Sequence, residues 1–97
     1  MPDIKVNPLT ASEAVIVQQI ITNGGSSVFC RVASNKLETP TILLTNAQQR
    51  EDLFNLTDRR ALEYLGCGAY ADGLVHRAYL IYGVTDVGRK LLEQYNA

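Results

Sequence analysis

The 97-residue chain carries nine Lys or Arg against ten Asp or Glu, a formal charge of −1 at pH 7. That length fits one small domain over residues 1–97, and a composition 46% apolar and 20% charged excludes wholesale disorder. The balanced charge removes both a strongly basic nucleic-acid binder and a strongly acidic mimic of a polyanion.

Residues 1–9 read as an irregular lead with prolines at 2 and 8. Thr10-Ala11-Ser12-Glu13 then has the form of a capping box, and a helix is expected over residues 11–23. At 100° per residue, Ala14, Ile16, Val17, Ile20 and Ile21 fall within an arc of about 160°, and Asn23-Gly24-Gly25 supplies the stop. Residues 27–33 are rich in β-branched and aromatic side chains and predict a strand. Ser34-Asn35-Lys36 reads as a turn, and residues 41–44 as a second short strand. Thr45-Asn46-Ala47-Gln48 repeats the capping form and starts a polar helix ending near Phe54. Asn55-Leu56-Thr57 interrupts it, and Thr57 or Asp58 caps a further helix through Leu65. Residues 66–73 read as a glycine-bracketed loop and residues 74–84 as extended chain. Thr85-Asp86 opens a terminal helix in which Val87, Leu91, Leu92 and Tyr95 share an arc of about 140°.

Little in the chain points to catalysis. A Cys–His nucleophile needs an oriented base and an oxyanion site, and neither Cys67 nor the lone His76 shows such partners. One His and two Cys give three ligands without paired spacing, so no metal or other cofactor is expected. No stretch approaches the roughly 18 apolar residues of a membrane span. Met1-Pro2-Asp3-Ile4-Lys5 lacks the basic start and apolar core of a secretory signal. A cytoplasmic location is therefore expected, with Cys30 and Cys67 as free thiols.

The C-terminal run is the most informative. Gly73-Leu74-Val75, followed by Tyr82-Gly83-Val84-Thr85-Asp86-Val87-Gly88-Arg89-Lys90-Leu91-Leu92, resembles the wing and last helix of small bacterial winged helix-turn-helix regulators. The similarity extends over about residues 42–95. It implies an α+β fold of three helices plus a C-terminal helix, packed with a small antiparallel sheet. It also implies Asn55 at the turn, a DNA-reading helix from Thr57, and double-stranded DNA as a partner of a homodimer. Under that resemblance Thr57, Arg59, Arg60, His76 and Arg77 touch DNA. The alternative for Arg59 and Arg60 is a solvated helix face, with Arg59 paired to Glu63 at i,i+4.

The five tyrosines all lie beyond residue 63, and Tyr70, Tyr79 and Tyr82 are candidates for an interface with a second copy or another protein. Two functions follow: a small DNA-binding transcriptional regulator, or a non-enzymatic protein-interaction module, such as a phage or mobile-element accessory protein, on the same scaffold.

Overall fold

A computed structural model describes residues 8–32 and 40–97. The expected turn at Ser34-Asn35-Lys36, the last residue of the first predicted strand and most of the N-terminal lead lie outside them. Seven elements follow in order: α1 (Ala11–Thr22), β1 (Ser26–Cys30), β2 (Thr41–Leu43), α2 (Ala47–Asp58), β3 (Leu62–Asp72), β4 (Val75–Val84) and α3 (Asp86–Asn96). The fold is α+β. Its four-stranded sheet has the order β2-β1-β4-β3. β1 and β2 run parallel, so the sheet is mixed rather than antiparallel as expected, and three helices stand among the described residues where four were predicted.

Local chemistry explains the helix starts. Thr10 caps α1, its side chain accepting from the Glu13 amide while the Glu13 carboxylate accepts from the Thr10 amide. The box on α2 sits one residue later than expected, with Asn46 as cap and Gln49 answering it. Gln49 also donates to the Leu43 carbonyl, tying the helix start to the end of β2. Thr85 caps α3 by accepting from the Gly88 amide.

The largest departure from expectation lies between residues 55 and 73. Asn55 makes no turn: α2 continues through it to Asp58, and the Arg59 amide donates to the Asn55 carbonyl. Thr57 caps nothing, because its hydroxyl donates back to the Leu53 carbonyl one turn earlier. The helix stops where Arg60 adopts φ 62, a left-handed conformation that glycine usually supplies, and the Ala61 amide returns to the Leu56 carbonyl. The predicted helix through Leu65 is therefore absent. Leu62 to Tyr64 pair with Val84 to Tyr82 of β4 instead.

The glycine segment is likewise strand and not loop. Gly66 sits at the irregularity after Tyr64, where β3 carries an extra residue against β4, with φ 146. The true reversal is the two-residue turn Gly73-Leu74 between Asp72 and Val75, with Gly73 at φ 63.

Register places the core. Phe29 pairs with both Ile42 and Leu80, and Ser27 pairs with Tyr82, which in turn faces Tyr64. Cross-strand neighbours share a face. On that face Phe29, Ile42 and Leu62 meet Ala14, Ile16, Val17 and Ile20 of α1, Leu53 and Leu56 of α2, and Leu91 and Leu92 of α3. Among the described residues β1 pairs with β4 only as far as Leu80, and the five rungs from Gly68–Tyr79 to Asp72–Val75 form a two-stranded arm about 17 Å long. The molecule is correspondingly elongated, 56 × 24 × 20 Å.

Gly88 is where α3 meets the rest of the chain. A Cβ there would overlap the Ala61 carbonyl, which is backbone and cannot swing aside. Gly88→Ala is expected to cost about 1–3 kcal/mol, read as a lower denaturation midpoint in urea.

Candidate nucleic-acid interface

The residues expected to touch DNA are dispersed by this fold. Arg59 turns inward and meets the Glu13 carboxylate at 2.6 Å, with side chains 18% and 5% exposed. The ion pair it makes is with Glu13 where Glu63 was the expected alternative, and it ties the end of α2 to the start of α1. Arg60 is exposed but held in the turn, where its carbonyl accepts from the Thr85 hydroxyl. Neither arginine lies on an outward helix face, because no helix forms there. Thr57 is half-buried on the last turn of α2. His76 and Arg77 do lie on the projecting arm. His76 is exposed opposite Ala71, and the Arg77 guanidinium bonds Asp72 across the hairpin at 2.8 Å.

The three interface tyrosines divide into two groups. Tyr82 packs edge-on between Phe29 and Tyr64, each 5.6 Å away between ring centres, against the main core. Tyr70 and Tyr79 stack on each other along the arm at 6.5 Å, and Tyr79 lies so tightly over Gly68 that a Cβ would strike its phenol. The Tyr70 hydroxyl donates to the Val32 carbonyl, bracing the arm against the end of β1.

A different set of side chains does converge. α2 presents Gln48, Arg50, Glu51, Phe54 and Asn55 to solvent while Asp52, Leu53 and Leu56 are buried. Arg50 lies on the side of α2 facing the arm. There it lines one cleft together with Arg31 from beyond β1 and Arg77 from β4, between Leu44 and Thr45 on one side and Val32 on the other. Three guanidinium groups from three separate segments thus border one concavity. Arg31 and Arg50 make no ion pair among the described residues. Beside the cleft, sharing Arg31, Leu44 and Arg50 with it, runs an apolar groove of about 540 Å³. Its walls are Leu53, Phe54 and Thr57 of α2 and Ala78, Leu80 and Tyr82 of β4, with Phe29 and Cys30 from β1.

Sequence inspection passes over Arg31 and Arg50. Arg31 is a single charge in an apolar stretch and Arg50 is followed at once by Glu51 and Asp52; only the packing of α2 and the pairing of β1 with β4 bring the two beside Arg77. Burial pushes the Cys30 thiol and the Tyr82 phenol above their ordinary ranges. Among the described residues no group of three His, Cys, Asp or Glu side chains is placed to hold a metal ion, and no helix is long and apolar enough to cross a membrane. No family model, curated protein or solved structure matches the chain.

Two outcomes follow from these positions. Glu13→Gln is expected to lower stability by about 2–3 kcal/mol, since it strands the Arg59 guanidinium, whereas Arg60→Gly is expected to raise it by up to about 1 kcal/mol. Urea denaturation of both variants checks the pair. Because Cys30 and Tyr82 are pushed up in the folded chain, their neutral forms favour the native state. Their contribution is full below about pH 8.5 and declines as pH rises past the ordinary thiol and phenol values, about 8.5 and 10. Thermal melts between pH 7 and 11 are expected to show a midpoint that falls across that interval.

Proposed function

We propose that this protein is a small winged-helix-like DNA-binding regulator that acts as a dimer, with α2 as the helix that enters the major groove and the β3–β4 arm as the wing. The observation that carries this reading is the cleft where Arg31, Arg50 and Arg77 converge between α2 and the arm. The order helix, two strands, helix, hairpin, helix supports it, as does the antiparallel pairing of β1 with the second hairpin strand. A winged helix presents the helix before the hairpin to DNA and lays the hairpin beside it. In this reading the three arginines meet phosphates, while Gln48 and Asn55, on the flank of α2 away from Arg50, offer amide groups beyond the cleft. His76 is exposed on the arm beside Arg77. Thr57, Arg59 and Arg60 drop out of the proposed contact set. The whole-chain charge of −1 is compatible with this, because the local cluster, and not the total, faces the duplex.

Three phosphate contacts per chain are few, which is why two chains on one duplex are proposed. They predict a slope of log affinity on log salt of about −2.7 for one chain and about twice that for two. Titration against mixed-sequence duplex DNA is expected to show about 40-fold weaker binding at 200 mM than at 50 mM salt for a single chain, and more for a dimer. Replacing Arg31, Arg50 and Arg77 together with Gln is expected to flatten the slope while leaving helical content unchanged. A second reading, a protein-interaction module, is favoured by one observation: the arm exposes Leu74 completely and Leu65 and Val75 by half. An absence of DNA binding at 50 mM salt, with a folded chain, selects that reading.

A further inference from the structure

We infer that the groove between α2 and β4 binds a planar aromatic carboxylate, its ring held by the apolar walls and its carboxylate by Arg31 and Arg50.

The volume, about 540 Å³, lies within the span of about 300–1,000 Å³ that small-molecule sites occupy. The walls are more apolar than a free surface requires. Phe54 stands 72% exposed on α2 although a helix position facing β4 offers it a place to pack, and Leu80 and Tyr82 opposite are only partly covered. Exposed apolar area gathered into one concavity, and not scattered, marks a site for a ligand with apolar surface. Phe29 and Tyr82, packed edge-to-face at 86°, are both in its lining, so aromatic side chains already form part of the wall.

Charge sets the other half of the ligand. Arg31 and Arg50 border both this groove and the neighbouring cleft, and among the described residues no acidic side chain lines either one. A guanidinium group matches a carboxylate with two parallel hydrogen bonds. Among the described residues the groove itself has no third cation in its lining, since Arg77 borders only the cleft and is engaged by Asp72. One negative charge on an aromatic body therefore fits better than a heavily hydrated dianion, whose desolvation the apolar walls would not offset. The inference does not rest on DNA binding, since walls and arginines come from one chain, although Arg31 and Arg50 are also the proposed phosphate contacts.

The test is a calorimetric titration of the full chain, without nucleic acid, with 2-naphthoate and with its uncharged counterpart 2-naphthamide. Naphthoate is expected to bind with a dissociation constant below 1 mM, and naphthamide at least tenfold more weakly. In the Arg31→Gln/Arg50→Gln variant, checked for unchanged circular dichroism, the ratio between the two ligands is expected to fall to within about twofold. Leu80→Gln is expected to weaken both ligands alike. Should the double variant fold poorly, raising salt from 50 to 500 mM on the natural chain serves instead, and it is expected to weaken naphthoate at least threefold with naphthamide unchanged. Equal affinity for the two ligands, no binding of naphthoate up to 5 mM, or discrimination that survives loss of both arginines overturns the inference.

Discussion

One carboxylate holds the architecture together. The two oxygens of Glu13, buried at the start of α1, do different work: Oε1 accepts from the Thr10 amide and closes the helix cap, while Oε2 holds the Arg59 guanidinium at the end of α2. The dipoles agree with this placement, an acid in the first turn of one helix and a cation at the last turn of the other. Because Arg59 is fixed, so is the turn that follows. Arg60 and Ala61 present their carbonyls to Thr85, and Gly88 lets α3 approach that same backbone. The angles at which β3 leaves, and at which α3 returns, descend from a single buried ion pair. Such a pair contributes modestly to net stability when intact, yet its disruption is costly, so its value lies in specifying one arrangement.

That arrangement leaves α2 incompletely packed. Its inner face gives Leu53 and Leu56 to the core, but Phe54 and Arg50 face a gap between the helix and β4. The gap lies between α2, which runs unbroken through Asn55 to Asp58, and the stretch of β4 from Ala78 to Tyr82.

What could be read from the sequence was local. The Thr10–Glu13 box and the Gly24-Gly25 stop depend on residues within a turn or two and stand where they were expected, as does α3, of whose expected stripe Leu91 and Leu92 are buried while Val87 and Tyr95 are exposed. The errors lie where a distant partner decides. Leu62 to Leu65 have no local preference strong enough to outweigh β4 waiting alongside, and Gly66 and Gly68 resemble loop residues until Tyr79 is seen lying over one of them. Asn55 was a plausible left-handed residue, but the chain takes that conformation at Arg60, where pairing of the next residues with Val84 and Thr85 compensates the strain. The candidate site was illegible for the same reason. Arg31, Arg50 and Arg77 are ordinary charges in sequence and neighbours only in three dimensions.

Beyond Leu80 the arm pairs with no third strand among the described residues. Besides its own ladder it is held by the Tyr70–Tyr79 stack, the Arg77–Asp72 pair and the Tyr70 hydroxyl on the Val32 carbonyl. Such an arm opens more readily than the rungs that β4 shares with β1. The molecule therefore divides into a rigid body and a compliant finger. The finger can follow the contour of whatever it meets without the body's core having to repack.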